Sequence, residues 1–506
     1  MLRALSLLLA LATARAAATP LVLEGEVPDD GNPFLEIPFE VPAGTRELEV
    51  RHEDLSDRNV LDFGLHDAAG TFRGWGGGNA EPAVVGEQAA SRSYLPGPLP
   101  AGTWTVLVGK AKLEEAPGRY RLEVELRTEA TLAPQPERRP YVAPAPLSAE
   151  ARWYAGDLHV HSRESGDAQP TLDEIAAFAT GRGLDFVFLS DHNTASHLEW
   201  MGDAQARHPG LLLLPSVEFT TYAGHANGLG ATQYVDLRLG GADGGISEAV
   251  SRFHAQGALF SINHPALDLG SACIGCPWRQ RLPRDQVDAV EIQTGRYSVA
   301  GVQFFAGAVT FWESVLATGK HAPAVGGSDD HRGGASNTGL DSAIGSPTTL
   351  VFAEGLSVEA VLAGIRAGRT VVKLEGPGDP MLELRAGEAR LGDTVHGKGT
   401  AALELRVTGA PAGARVRLVT DAVPGTFQDI SAGDSVLALS SPFPASGESR
   451  VRAELHVEGQ PRTVTSHLYL APPAEPPPSG CGCTAPPAGA LALLALAAVP
   501  RRRQDR

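Results

Sequence analysis

The pattern of apolar and polar residues divides the chain into three regions with different periodicities. From 21 to about 127, apolar residues alternate with polar ones, as at Leu122, Val124 and Leu126. A period of two is typical of a half-buried β-strand, because successive side chains point to opposite faces of the sheet. Short alternating runs with dense turn signals favour a β-sandwich, which we predict for 19–128.

The middle region, predicted to span 150–375, has unbroken apolar runs separated by helical stretches. Helical periodicity occurs at 171–181, 246–256 and 302–318. Unbroken apolar strands that alternate with helices are typical of parallel strands covered by helices. Seven such runs predict a closed or nearly closed barrel, in which reactive side chains collect at the C-terminal ends of the strands.

A third region, 376–470, returns to alternation and predicts a second small β-sandwich. Leu403, Leu405 and Val407 form one of its alternating runs. The proline-rich stretch 129–149 lacks any periodicity and is predicted to be a linker. The expected fold is therefore multidomain, α/β and all-β, with a central barrel flanked by two β-sandwiches.

Both ends of the chain have the composition of targeting segments. In 1–18, Arg3 precedes an apolar run and then small residues, the order typical of a secretory signal peptide, although a buried N-terminal helix is the alternative. The proline-rich spacer 471–480 precedes a Gly-Cys pair, a short apolar run and three arginines. The segment 481–506 resembles the MYXO-CTERM sorting tag of myxobacterial surface proteins. This resemblance implies export, processing near Cys481 and membrane anchoring at the cell surface, although a merely apolar tail remains an alternative.

Composition narrows the classes of function. With 506 residues, 43% of them apolar, the chain can form several large cores. Its net charge of −17 argues against a nucleic-acid-binding surface, which would need a basic face. Apart from the cysteines of the tag, the chain has Cys273 and Cys276. In an exported protein such a pair is more often a small disulfide than a redox or metal-binding pair, and these alternatives remain open.

Histidine and aspartate occur together in three short segments, each of which follows an apolar run. These segments are 157–162, 190–193 and 327–331. Imidazole and carboxylate are ligands for Zn, Mn or Fe, so three such pairs at strand ends predict one site for more than one divalent ion. Because side chains alternate along a strand, His159 and His161 can bind the same ion. Asp157 is placed to accept an N–H from a liganding imidazole.

Nine residues in this order resemble the ligand set of the polymerase-and-histidinol-phosphatase (PHP) metallohydrolase superfamily, in its carbaryl-hydrolase-like branch. They are His159, His161, Asp167, His192, Glu218, His225, His264, Asp329 and His331. Supporting stretches lie at 218–221, 224–227 and 364–369. The resemblance covers 150–373 closely. It implies a distorted (β/α)₇ barrel that holds two or three divalent ions, of Mn, Zn or Fe.

The resemblance also implies a role for each ligand. One ion would be held by His159, His161 and Asp329. A second would be held by the bridging carboxylate of Glu218 with His225 and His264. A third would be held by Asp167, which stands where some relatives have histidine, with His192 and His331. The residues expected to act directly in catalysis are His159, His161, Glu218, Asp329 and His331.

Three functions remain open at this point. The first is a phosphoesterase for a small phosphomonoester or phosphodiester. Divalent ions would leave the pocket net positive, which favours an anionic substrate. Arg163 and Arg296 are candidate phosphate contacts, since guanidinium binds phosphate in two-pronged fashion. The second is a carbamate, ester or amide hydrolase. It would be favoured by an apolar pocket around Phe219, Tyr222, Trp278 and Phe304. The third is an inactive surface binding protein.

Overall fold

The computed structural model describes residues 20–241, 245–335 and 342–473, except for the side chain of Ala300. The predicted signal peptide 1–18 and sorting segment 481–506 lie outside the described residues, as does most of the spacer 471–480. Within the part of the chain that is described, no helix has the length and hydropathy needed to cross a membrane.

The N-terminal region forms two four-stranded antiparallel sheets. Its strands are β1 (Leu21–Val27), β2 (Phe34–Val41), β3 (Glu47–Asp54), β4 (Val60–His66), β5 (Phe72–Gly77), β6 (Ala83–Gly86), β7 (Gly102–Lys112) and β8 (Gly118–Arg127). One sheet has the order β1-β8-β3-β6 and the other β2-β7-β4-β5. Leu48 and Leu122 of the first sheet share a buried core with Trp104 of the second. The alternating sequence arises because each strand turns one face to this core.

The central region alternates strands and helices. In chain order its elements are β9 (Arg152–Val160), α1 (Leu172–Gly181), β10 (Phe186–Leu189), α2 (Leu198–Arg207), β11 (Leu212–Pro215), β12 (Glu218–Thr221), β13 (Gly224–Leu229), α3 (Gly245–Ala255), β14 (Leu259–Ile262), β15 (Ala289–Thr294), α4 (Val302–Leu316), β16 (Ala324–Gly327), β17 (Thr348–Ala353), α5 (Val358–Arg366) and β18 (Thr370–Lys373). Helix α1 begins at a capping box, in which Thr171 accepts from the backbone N–H of Glu174 and the Glu174 carboxylate accepts from that of Thr171.

Two sheets support the central region, with the orders β11-β10-β9-β17-β18 and β12-β13-β14-β15-β16. The predicted parallel pairing is found at β9–β10, β10–β11, β14–β15 and β15–β16. The pairs β9–β17, β17–β18, β12–β13 and β13–β14 are antiparallel, which the prediction did not include. Strands β12 and β13 are joined by two residues, a connection too short for a parallel crossover. Isolated bridges, His192 to Glu218 and Val160 to Asp330, link the two sheets. No closed hydrogen-bonded barrel forms among the described strands, so the (β/α)₇ arrangement stays a prediction.

The C-terminal region is again all-β. Its strands are β19 (Met381–Arg385), β20 (Thr394–His396), β21 (Thr400–Ala410), β22 (Arg415–Thr420), β23 (Val423–Pro424), β24 (Gln428–Asp429), β25 (Gly433–Pro442), β26 (Ser449–Val457), β27 (Gln460–Thr465) and β28 (Leu468–Ala471). Strands β19, β21 and β25 form a separate sheet. Strand β27 pairs with β18, so the other C-terminal strands continue a sheet of the central region. The predicted boundary between 375 and 376 therefore falls within one hydrogen-bonded assembly.

The proline-rich linker 129–149 is held to both neighbouring regions. The Arg138 guanidinium donates to the Glu199 carboxylate at 2.7 Å and to the carbonyl of Tyr94 at 2.6 Å. In a further hydrogen bond between the N-terminal and central regions, the backbone N–H of Ser93 donates to the carboxylate of Glu164 at 2.9 Å. These charge-assisted bonds fix the N-terminal sandwich beside the C-terminal end of β9.

Candidate metal centre

Strand β9 leads the first two candidate ligands into the site. His159 and His161 are both fully buried, and their ring centroids lie 5.0 Å apart. The sequence predicts that Asp157 accepts an N–H from a liganding imidazole, but among the described residues no imidazole donates to it. It accepts the backbone N–H groups of His159, Ser328 and Gly345, at 3.1, 3.0 and 2.7 Å. Asp157 thus joins the end of β9 to the segments that follow β16, and its role is structural.

The carboxylate of Glu218, the first residue of β12, lies at the centre of the site. It is buried, and Asn263 donates to its Oε1 at 2.8 Å. Ring nitrogens surround it at 3.3 Å (His159), 3.8 Å (His161), 2.5 Å (His192), 3.5 Å (His225) and 3.6 Å (His264). One carboxylate therefore borders every imidazole of the predicted set except that of His331.

Asp329 approaches the same group from the end of β16. Its Oδ1 lies 3.0 Å from Nε2 of His161 and 3.2 Å from Nε2 of His159. Its backbone has φ +56°, a conformation that is uncommon outside glycine, and its N–H donates to the carbonyl of His159 at 2.8 Å. Strained backbone of this kind is found at sites where the surrounding structure fixes a functional side chain.

A second group of side chains lies on the cavity side of His161. Nε2 of His192 and Nε2 of His331 are 3.4 Å apart, and Oδ2 of Asp167 lies 3.3 Å and 3.5 Å from them. The Asp167 side chain is 58% exposed, whereas the two histidines are largely covered. The fold therefore brings the three residues predicted to hold a third ion together at the mouth of the site.

His225 and His264 lie on the other side of Glu218. Nδ1 of His225 and Nε2 of His264 are the nitrogens that face it. Their remaining nitrogens lie 3.3 Å from the carbonyl of Ile274 and 3.2 Å from that of Cys276. A carbonyl can only accept, so these contacts place the ring protons on the loop side and leave a lone pair facing Glu218.

Glu291 is a site residue that the sequence analysis missed. It lies in β15, with Oε1 at 3.4 Å from Nδ1 of His159. Its Oε2 accepts the backbone N–H of His264 at 2.9 Å and the hydroxyl of Thr294 at 2.7 Å. Its signal in the sequence is an acid within an otherwise apolar strand, Ala289–Thr294. Glu291 takes the position expected of Asp157, as an acceptor behind an imidazole.

Burial and neighbouring charges shift the pKa values of the cluster, and its carboxylates favour positive charge beside them. Burial alone would lower the pKa of His159, but the carboxylates of Asp329 and Glu218 raise it well above the usual value. Burial would raise the pKa of Glu218, and the charges of His192 and His159 lower it well below the usual value. Burial, together with the charge of His331, lowers the pKa of His161 to about 3. Buried acids at this density need cations or protons for balance.

The donor set fits divalent metal ions. Four groups among the described residues are suited to a metal: His161, His192 and His331; His159, His161 and Glu218; His159, His264 and Glu291; and His225, His264 and Cys276. Nε2 of His159 is buried and lies 3.2 and 3.3 Å from oxygens of Asp329 and Glu218 without a well-aligned hydrogen bond to either, which is the state expected of a ligand atom. Neutral imidazole and carboxylate oxygen suit Zn, Mn or Fe, with ligand distances of about 2.0–2.2 Å for Zn.

A cavity of about 720 Å³ opens onto the cluster, and both the N-terminal and the central region line it. His192, Asp329 and His331 form part of its floor, and the N-terminal region supplies Asp62 and Trp75. No lysine or arginine lines this cavity among the described residues.

The arginines predicted as phosphate contacts lie elsewhere. Arg163 lines a smaller depression beside Trp200, and Arg296 lies 3.8 Å from the carboxylate of Glu375. The local sequence placed both near strand ends, but it does not specify the direction of their side chains. Of the aromatic residues considered for an apolar pocket, Tyr222 and Phe304 line the cavity. The other two, Phe219 and Trp278, belong to the hydrophobic core.

Comparisons with known proteins leave the family open. No family model matches the chain, and no curated protein matches it either. The chain is similar to a solved two-domain protein from Bacteroides vulgatus that contains a predicted PHP-like metal-dependent phosphoesterase. The two are 16% identical with a TM-score of 0.37, over 67% of this chain and 100% of that one. An amidohydrolase from Chromobacterium violaceum is 18% identical with a TM-score of 0.25, over 35% of this chain and 87% of that one. Such scores are too low to carry an argument, so the interpretation depends on the site's own geometry.

Proposed function

We propose that this chain is a metal-dependent hydrolase of the PHP type, and that its substrate is a small phosphomonoester or phosphodiester. The observation that carries the proposal is the convergence of six histidines with Glu218, Asp329 and Asp167 in one cluster, part of which lines a single cavity. Ligand atoms that lie 3–4 Å apart can share ions that each coordinate at about 2 Å. Binding of two or three ions, with the roles implied by the family resemblance, belongs to the proposal.

Divalent ions bound there would supply Lewis acidity, which activates water near neutral pH and stabilises charge that develops on the ester. The chain's own residues hold the geometry. Glu218 is fixed by Asn263 between the two groups of imidazoles. Asp329, His192 and His331 face the cavity, where a substrate would meet them. Burial of His159 and His161 excludes bulk water from the inner part of the site.

The second candidate substrate class is a carbamate or carboxylic ester. It is favoured by the cavity walls, which carry Trp75, Tyr222 and Phe304 and, among the described residues, no cationic side chain. Such a wall suits an uncharged, partly apolar substrate. A binding protein without catalysis is the third candidate. Against it, the complete ligand set argues for chemistry, because a binding surface would not require so many buried ionisable groups.

Alanine substitution of the ligands on β9 tests the proposal. The double variant His159→Ala/His161→Ala should lose bound metal and reduce turnover of p-nitrophenyl phosphate and bis-p-nitrophenyl phosphate by at least about 100-fold. His396 is an exposed histidine of the C-terminal region. The matched control His396→Ala should behave as wild type. Metal analysis should find two or three ions in the wild-type protein. Unchanged turnover in the double variant would refute the proposal.

The two substrate classes are separated by parallel assays. Wild-type protein loaded with Mn or Zn is given the phosphoesters or p-nitrophenyl acetate. A larger kcat/KM for the phosphoesters supports the first class, and the reverse order supports the second. If metal binds stoichiometrically and neither class is hydrolysed, the third candidate, a binding protein, gains support.

We also propose that the protein is exported and anchored at the cell surface. The support is the signal-like order of residues in 1–18, the tag-like segment 481–506, and a disulfide between Cys273 and Cys276, which is typical of oxidising compartments. Fractionation of cells that produce the full chain tests this. Wild-type protein should be found with the surface membrane, and Cys481→Ala should release it. Cytoplasmic wild-type protein would refute the proposal.

A further inference from the structure

The loop closed by Cys273 and Cys276 lies directly behind two of the candidate metal ligands. Its residue Ile274 and its last residue Cys276 present backbone carbonyls to Nε2 of His225 and Nδ1 of His264, at 3.3 and 3.2 Å. Each contact holds one imidazole by the nitrogen that faces away from Glu218. The tautomer and ring orientation of both histidines therefore depend on where this short loop places its carbonyls.

Two further features hold the loop in that place. The disulfide joins residues three positions apart, with Cα atoms separated by 5.6 Å, and so closes the loop on itself. Gly275 (φ +80°) packs so tightly on the β12–β13 turn that an added Cβ would lie 2.3 Å from the carbonyl of Thr221. That turn belongs to the hairpin that carries Glu218 and His225. The loop is thus fixed to the hairpin that carries His225, one of the two ligands it orients.

We infer that the Cys273–Cys276 disulfide is a positioning device for the metal ion held by His225 and His264, and that it makes binding of this ion sensitive to reduction. The inference rests on the proposed function, because it assumes that the cluster binds metal. In the oxidised protein the two carbonyls hold both imidazoles ready for the ion. In the reduced protein the loop gains freedom, and ordering the imidazoles costs conformational entropy on each binding event. Loss of such outer contacts typically weakens metal affinity by about 10–100-fold.

In the redox step a phosphine reduces the disulfide. The S–S bond breaks, both sulfurs become thiols, and the phosphine takes an oxygen atom from water to become the phosphine oxide. Reoxidation by oxygen or a disulfide re-forms the S–S bond. The hydrogen bonds described for His159, His161 and Asp329 do not reach the loop, so the ion that these residues would hold should remain bound through this cycle.

The test measures metal retention in the full folded protein. Protein loaded with Zn is reduced with tris(2-carboxyethyl)phosphine, desalted and challenged with a chelator. Reduced wild type should lose one ion about 10–100-fold faster than oxidised wild type and regain it after reoxidation and reloading. The variant Cys273→Ser/Cys276→Ser should show the fast loss with or without reductant. Equal release from oxidised, reduced and variant protein would overturn the inference.

Two further measurements distinguish positioning by the loop from direct ligation by sulfur. Gly275→Ala keeps both cysteines but pushes the loop off the hairpin, so it should release the same ion faster; wild-type retention would contradict the inference. The Cys276 sulfur lies within 4.8 Å of a ring nitrogen of each histidine. If reduced protein loaded with Co shows thiolate charge-transfer absorption, the sulfur is itself a ligand and the positioning role is overturned. If oxidised wild type binds no metal at all, the proposed function itself fails, which is a different result from equal release.

Discussion

The hydroxyl of Tyr222 donates a 2.7 Å hydrogen bond to the carboxylate of Asp62, across the boundary between the central region and the N-terminal sandwich. Tyr222 lies in the turn between β12 and β13, three residues before His225, and both members of the pair line the cavity. Burial raises the pKa of Asp62 to about 6, although the Tyr222 hydroxyl opposes this. The N-terminal sandwich is therefore part of the wall of the site and not a remote appendage.

The first prediction concerns this pair. Tyr222→Phe should lower the free energy of unfolding by about 1–3 kcal/mol, because Asp62 would lose its hydroxyl donor in a partly buried position. Tyr222→Phe combined with Asp62→Asn should cost less than the sum of the single changes. Urea denaturation of the four proteins at pH 8 measures the coupling. Tyr120→Phe, which changes a tyrosine of the N-terminal sandwich away from the cavity, serves as control. Strictly additive effects of Tyr222→Phe and Asp62→Asn on the free energy of unfolding would contradict the prediction.

The second prediction concerns Glu291. Glu291→Gln should weaken metal binding by about 10–100-fold, because an amide at this position can present a donor instead of an acceptor to Nδ1 of His159. Competition with a fluorescent zinc indicator measures the affinity. Glu388→Gln changes an exposed acid in the C-terminal region and should have wild-type affinity. If the two variants bind metal equally well, Glu291 does not support the site.

The third prediction concerns metal removal. The apo protein should be less stable than the loaded one, because the buried carboxylate of Glu218 and the largely covered carboxylate of Asp329 lose the cations that balance them. With free metal at 100 times its dissociation constant, binding to the folded state alone adds about 2.7 kcal/mol. Thermal unfolding with and without chelator measures the difference. A melting temperature that does not respond to metal would count against any tight site.

The fourth prediction concerns pH and the C-terminal region. Burial would raise the pKa of Glu454, but its hydrogen bond with His456 and the charge of Arg452 lower it to about 2. A folded pKa below the unfolded one means that this stabilisation is present above about pH 4.5 and is lost as the pH falls toward 2. Because the side chain is only 7% exposed, the effect corresponds to about 3 kcal/mol.

Glu454→Gln should therefore lower the free energy of unfolding by about 3 kcal/mol at pH 7 and by almost nothing near pH 2. Urea denaturation across this range measures both limits. Glu404→Gln, on the exposed face of β21, should show no such pH dependence. A constant difference between wild type and Glu454→Gln at all pH values would show that the charge is not the cause.

Local patterns were informative where the physics is local. The helices α1, α3 and α4 begin and end within two residues of the stretches predicted from periodicity. His159 and His161 share a face because strand side chains alternate. The hairpin pairing of β12 with β13 was missed, as was the pairing of β18 with β27. Such pairing depends on which strands meet in space, and a run of apolar residues does not specify its neighbour.

The sequence by itself determined the chemical character of the protein: which residues can ligate metal, where the helices form, and which strands turn one face to a core. Only the tertiary structure decided which outer groups support the ligands and what surrounds the substrate. Glu291, Asp62 and the Ile274 carbonyl entered the site, while Arg163 and Arg296 stayed outside its cavity. The physical reason is that periodicity acts over a few residues. Contacts between distant segments are set by packing of the whole chain, which no local pattern contains.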